Sequence, residues 1–115
     1  MSAIEISERY FAAMTGQHLK ALADLFAEDG VIVWPNGTRL EGNDAISEAY
    51  AQLFKLPTNN PHPGPLLIAA PDHFACEGLS RLPDGSERRT LNVFRLNRDG
   101  LIARLDSYRQ DQPAD

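Results

Sequence analysis

Residues 73–97 read HFACEGLSRLPDGSERRTLNVFRLN. Pro83-Asp84-Gly85-Ser86 supplies turn chemistry between two runs carrying aromatic and β-branched residues, which predicts strands over His73–Leu82 and Glu87–Asn97. With Asp84-Gly85 at the centre of the hairpin, Ala75 lies opposite Phe94, Glu77 opposite Asn92, and Leu79 opposite Thr90. One face then carries His73, Ala75, Glu77, Leu79, Thr90, Asn92, Phe94 and Leu96; the other carries Phe74, Cys76, Gly78, Leu91 and Val93. Both faces are partly apolar, so both need cover. Helices can cover one. A homodimer through Phe74, Cys76, Leu91 and Val93 is the expectation for the other.

Outward from the hairpin, Leu66–Ala70 and Leu101–Arg109 read as further strands, the last preceded by the turn Arg98-Asp99-Gly100. Pro57, Pro61, Pro63 and Pro65 exclude a regular helix between Leu56 and Pro65 and predict a loop there, placed to act as a lid. Upstream the period changes. Ser2-Ala3-Ile4-Glu5 has the form of a capping box, and Ile6, Tyr10 and Met14 follow on one helical face up to Gly16. A second helix runs through Leu19, Leu22, Ala23 and Phe26 to a stop at Asp29-Gly30. Val31–Trp34 and Thr38–Glu41 read as short strands around Pro35-Asn36-Gly37. Asn43 or Asp44 caps a third helix carrying Ile46, Ala49, Tyr50 and Leu53. Helices first and strands last predict an α+β fold with three N-terminal helices on one face of an antiparallel sheet. The reading gives one domain over residues 1–110 and a flexible tail over 111–115.

A net charge of −5 argues against nonspecific nucleic-acid binding, which depends on neutralising phosphates. Glu87-Arg88-Arg89 reads as solvated surface beside the turn. No apolar run approaches the ~20 residues of a membrane span, and the N-terminus lacks a signal-peptide layout, so a cytoplasmic location is expected. Cys76 is the one cysteine, which excludes an internal disulfide, and Phe74 and Ala75 beside it suggest a buried thiol. His18, His62 and His73 lack metal-ligand spacing, and no phosphate-binding glycine loop or nucleophile elbow is present, so no metal or cofactor is expected.

Arg9-Tyr10, Phe26-Ala27-Glu28-Asp29, Trp34-Pro35, Glu41-Gly42 before the helix of Tyr50, Asn92-Val93-Phe94-Arg95-Leu96 and Asp99-Gly100-Leu101-Ile102 span almost the whole chain. In this order they resemble the ketosteroid-isomerase and SnoaL-like group of the nuclear-transport-factor-2-like superfamily. The resemblance implies a cystatin-like cone, in which the three helices pack in the concave face of a curved sheet around an apolar pocket. It implies an enzyme without cofactor that polarises a carbonyl oxygen, with the tyrosine donor at Tyr10, a supporting tyrosine at Tyr50, and Asn92 in place of a protonated acid. An amide donates a hydrogen bond without any shifted pKa. The position of the general base is occupied by Trp34, and an indole takes no proton from carbon.

Each candidate carries a structural reading as well. Tyr10 is a core tyrosine or a donor. Asn92, disfavoured in mid-strand, bonds backbone or water, or faces a ligand. Trp34 is core or a flat wall for a ring. Glu77, on the face predicted for Asn92, is a replacement base or a solvated glutamate. His73 is a further base candidate beside an exposed strand start. Asp106 resembles a carboxylate of SnoaL-like polyketide cyclases, although strand parity puts it opposite Leu105 and Ser107. Phe26, Phe94 and Leu105 complete the expected ligand wall. Three functions follow: isomerisation, cyclisation or dehydration of a small apolar, cyclic carbonyl or phenolic compound; binding of such a ligand without turnover; or a dimerisation scaffold.

Overall fold

The computed structural model describes residues 2–55 and 62–112. Helix α1, Ala3–Gly16, opens on the expected capping box: Ser2 Oγ accepts from the Glu5 amide and the Glu5 carboxylate accepts from the Ser2 amide. It ends on Gln17 in the left-handed region at φ 55°. Helix α2 is shorter than its periodicity suggests, Leu19–Ala23. Phe26 does not continue it but begins strand β1, Phe26–Val33. The amide of Ile102 binds the Leu25 carbonyl at 2.8 Å, and Phe26 pairs with Ile102, so sheet pairing overrides the local helical pattern. Strand β2 spans Arg39–Glu41 and α3 spans Asn43–Leu53. Gly42, at φ 93°, occupies the N-cap of α3. Asn43 does not cap that helix; its amide donates to the carbonyls of Ala23 at 2.9 Å and Phe26 at 3.3 Å, which ties the start of α3 to the end of α2.

The remaining chain forms β3, His62–Ala70, β4, His73–Arg81, β5, Glu87–Leu96, and β6, Ile102–Gln112. The sheet order is β2-β1-β6-β5-β4-β3. The sheet is curved and mixed rather than wholly antiparallel, because β1 runs parallel to β6 while every other neighbour pair is antiparallel. Pro63 and Pro65 lie within β3, on the sheet edge, where a missing amide hydrogen is tolerated. Residues 62–65 of the predicted loop are thus strand, and the rest of that prediction, residues 56–61, lies outside the described residues. Strand β6 pairs through Gln112 with Glu87, two residues beyond the predicted end of the domain.

The β4–β5 hairpin differs from its sequence reading by one residue, and the difference reverses a face. Arg81 pairs with Glu87, the Leu82 amide binds the Ser86 carbonyl, and Gly85 has φ 87°. The connection is thus a three-residue loop, Pro83-Asp84-Gly85, with glycine at the left-handed position. Cys76, not Glu77, stands opposite Asn92, and Phe74 opposite Phe94. A one-residue slip moves every side chain of a strand to the other side. Phe74, Cys76 and Gly78 therefore join Thr90, Asn92 and Phe94 on the helix-covered face. Phe74 and Phe94 stack at 4.4 Å, and both are fully buried. The core also takes Ile6, Leu22, Ile32, Ile46, Tyr50, Ile102 and Leu105. The expected dimer face loses Phe74 and Cys76 for the same reason; the outer face carries Ala75, Glu77, Leu91, Val93 and Tyr108.

Candidate functional site

A cavity of about 90 Å³ lies between the helices and the inner face of the sheet. Tyr10, Phe11 and Met14 reach it from α1, Tyr50 and Leu53 from α3, and Trp34 from the end of β1. Gly78 and Ser80 of β4, Arg88, Thr90 and Asn92 of β5, and Ser107 of β6 form the sheet side.

Two polar constellations face each other across it. On the helix side, the hydroxyls of Tyr10 and Tyr50 hydrogen-bond at 2.7 Å. The pair uses one hydroxyl proton, so the other stays available to donate. Burial raises the pKa of both phenols well above the ordinary tyrosine range, so both stay neutral donors at any physiological pH. Aromatic edges fix them: Tyr10 packs against Phe94 at 4.9 Å and Phe11 at 5.4 Å, and Tyr50 against Trp34 at 5.7 Å. On the sheet side, the Ser107 hydroxyl donates to Asn92 Oδ1 at 2.8 Å, and Asn92 Nδ2 donates to Thr90 Oγ1 at 3.1 Å. Nδ2 carries two hydrogens, so one remains for a ligand. The amide is buried, and these two hydroxyls orient it.

Of the residues singled out in the sequence, Tyr10, Tyr50, Trp34 and Asn92 meet at this cavity. Phe26, Phe94 and Leu105 do not line it; they are buried one layer away, and Phe26 and Phe94 hold the Tyr10 ring. Glu77 is on the outer face, where its carboxylate lies 4.0 Å from Arg89, as the corrected register requires. His73 is exposed on that same outer face, with Nδ1 2.9 Å from Asp72. Asp106 is also outward, as strand parity placed it, and is held by Arg95 at 2.9 Å and Arg104 at 2.9 and 3.0 Å. The Arg104 hydrogen bonds, with the help of Arg95, keep its carboxyl below the usual carboxylate range. All three proposed bases are therefore away from the cavity. Among the residues whose side chains are described, which leave out His62 and Asp111, no aspartate, glutamate or histidine lines it.

Thr90 and Ser107 lie on the cavity side, where strand parity put them; Arg88, Gly78 and Ser80 were missed as pocket residues. The signal for Arg88 was present: it shares the parity of Thr90, Asn92 and Phe94 on one strand. The signal for Gly78 and Ser80 was not, since their side depends on the turn. A Cβ on Gly78 would stand 2.8 Å from Thr90 Oγ1 and 3.5 Å from Asn92 Nδ2, so glycine there is what lets β4 pass beneath the amide. Cys76 is buried behind the cavity, and desolvation pushes its thiol up to about 12. Among the described residues no group is placed to hold a metal ion, and no helix is long and apolar enough to cross a membrane.

A family model described as a SnoaL-like domain matches residues 7–105. An NTF2-like protein of unknown function from Mesorhizobium loti superposes with a TM-score of 0.83 at 23% identity, over 94% of this chain and 90% of that one. A candidate polyketide cyclase from Sinorhizobium meliloti gives 0.75 at 27% identity, over 90% and 93%. A Mycobacterium tuberculosis protein crystallised with estradiol-17β-hemisuccinate gives 0.75 at 22% identity, over 94% of both chains. No curated protein matches the chain.

Proposed function

The chain belongs to the SnoaL-like domain family, and from that premise we propose that it binds a small, largely apolar ring compound through a carbonyl or phenolic oxygen, without itself abstracting a proton. The observation that carries this reading is the cavity wall: two sets of oriented neutral donors, and among the residues with described side chains no carboxylate or imidazole. General-base catalysis needs a group within hydrogen-bond reach of the proton it takes. The Mycobacterium tuberculosis neighbour, with its steroid ester, supports an apolar ring as occupant. The volume of about 90 Å³ points to something smaller, since pockets that bury drug-sized ligands run to roughly 300–1,000 Å³.

A second reading, favoured by the 2.7 Å Tyr10–Tyr50 bond, is catalysis by oxygen polarisation alone. Preorganised donors stabilise charge that develops on a carbonyl oxygen. An isomerisation, cyclisation or dehydration whose proton is moved by the substrate or by water fits the same wall. The test is a thermal-shift and calorimetric series with single-ring ketones and phenols, followed by recovery of the ligand. Binding lost in Asn92→Ala, with ligand returned unchanged, supports the binding reading. Conversion of the compound by wild type but not by Tyr10→Phe transfers the assignment to the enzyme reading. No shift with any compound sinks both.

A second copy of the chain is the proposed cover for the outer sheet face, where Tyr108 is 58% and Leu91 37% exposed beside Val93. Large exposed apolar groups grouped on a sheet face favour association.

A further inference from the structure

We propose that the cavity is indifferent to the direction of the hydrogen bond its ligand makes, so that a small ring bearing an N–H or O–H donor binds as well as one bearing a carbonyl. This widens the ligand class of the pocket reading above and rests on it. Both polar constellations support it, because each keeps all of its internal hydrogen bonds when their direction is reversed. In the tyrosine pair, the hydroxyls of Tyr10 and Tyr50 are 2.7 Å apart and either one can be the donor. If Tyr10 donates, the Tyr50 proton is left over; if Tyr50 donates, the Tyr10 proton is. A phenol also keeps acceptor lone pairs, so a ligand C=O finds a proton at this pair and a ligand N–H finds an oxygen.

The Asn92 amide behaves in the same way. Ser107 Oγ lies 2.8 Å from its Oδ1, and Thr90 Oγ1 lies 3.1 Å from its Nδ2. Both partners are hydroxyls, which donate or accept as their proton turns. Half a turn of the amide exchanges Oδ1 and Nδ2 at nearly the same positions. Nδ2 then donates to Ser107 and Thr90 donates to Oδ1, with no bond lost. The two hydroxyls thus hold the plane of the amide and leave its sense open. The group beside Thr90 is an N–H in one sense and a carbonyl oxygen in the other. Space does not choose between them, because the β4 residue beneath the amide is Gly78, where even an added Cβ would stand 3.5 Å from Nδ2. Trp34 and Arg88 also line the cavity and donate only, and the Arg88 side chain is already engaged within the protein. In a wall of fixed donors a ligand N–H is buried unpaired, which is worse than lacking the N–H altogether. A wall that reverses receives it without that cost. The class of ligand that follows is a small ring with one polar group of either sense, a cyclic ketone and its alcohol among them.

The test titrates two matched pairs of five-membered rings into the wild-type protein at neutral pH, so it needs no variant. Pyrrole carries an N–H donor that furan lacks, and cyclopentanone carries an acceptor that methylenecyclopentane lacks. Trp34 is the one tryptophan of the chain and lines the cavity, so its emission reports occupancy alongside calorimetry. Pyrrole is expected to bind about three- to tenfold more tightly than furan, and cyclopentanone to exceed methylenecyclopentane by a similar factor, the size of one net hydrogen bond. A preference for the ketone, with pyrrole no tighter than furan, overturns the proposal and leaves the carbonyl-binding pocket intact. Nuclear magnetic resonance of isotope-labelled protein reads the amide directly. Overhauser contacts of the Asn92 side-chain amide protons are expected to move from the Thr90 methyl group to the Ser107 β protons when pyrrole replaces cyclopentanone. Unchanged contacts with both ligands bound also overturn the proposal. If none of the four compounds changes emission or heat, the pocket reading itself fails and the proposal with it.

Discussion

Asn92 and Gly78 show how narrowly the site is set at single residues. Asn92 holds two hydroxyls as well as a donor for the ligand, so Asn92→Ala leaves the Ser107 hydroxyl without its acceptor. The expected result is loss of detectable ligand binding together with destabilisation of about 1–3 kcal/mol, read by calorimetry and urea unfolding. Gly78→Ala acts differently. Its methyl meets Thr90 Oγ1, the end of a side chain that can turn away. Stability is expected to change by less than about 1 kcal/mol, while affinity falls because the Thr90–Asn92 bond is disturbed and the small cavity shrinks. Unimpaired binding in Gly78→Ala would show that the ligand does not approach this floor. Cys76, with its thiol pushed up to about 12, is expected to resist a disulfide reagent in the native protein and to react at once in denaturant. Tyr10, Tyr50, Trp34 and Asn92 reach the cavity; their residue types alone left Tyr10, Trp34 and Asn92 open between core and pocket, and the family resemblance pointed Tyr10, Tyr50 and Asn92 to it. Glu77 was misread because nothing about a glutamate at a strand centre reports which way it faces.

The element that decides the site is the β4–β5 hairpin, and what decides the hairpin is its loop. Asp-Gly in sequence is compatible with a two-residue turn and with a three-residue one, and these differ by one residue in register. Gly85, at φ 87°, is the residue that makes the longer loop possible. Gly85→Val is expected to destabilise by about 1–2 kcal/mol, since a side chain in the left-handed region clashes with the backbone. The β5–β6 ladder offers a second test. Arg95 and Arg104 are directly paired across the strands, an unfavourable juxtaposition that Asp106 relieves by binding both. Its folded pKa is depressed, so its contribution is fully present above the unfolded value of about 3.9 and is lost as pH falls through the folded pKa. Asp106→Asn is expected to lower stability near neutral pH by about 1 kcal/mol and to flatten the loss of stability below about pH 4. A wild-type acid limb that persists unchanged in the variant would place the sensitivity elsewhere.

For the whole molecule, the apolar outer sheet face sets the expected oligomeric state. Light scattering at micromolar concentration is expected to give twice the 12.7 kDa chain mass, and Tyr108→Glu is expected to shift it to the monomer. A monomeric wild type would mean that Leu91 and Tyr108 are ordinary exposed residues. The sequence by itself determined the class of the fold: helical periodicity up to Leu53, strand composition after Leu66, and turn residues between them are local properties that survive without knowledge of partners. It placed Tyr10 and Tyr50 on the apolar stripes of their helices, and only the family resemblance implied a donor role for them. Only the tertiary structure decided that β1 starts at Phe26 and runs parallel to β6, since that pairing joins segments about seventy residues apart. Only the tertiary structure placed Ser80 and Gly78 at the cavity and Glu77 outside it, because the faces of β4 exchange with a one-residue change in the loop, and both registers satisfy the local pattern equally well.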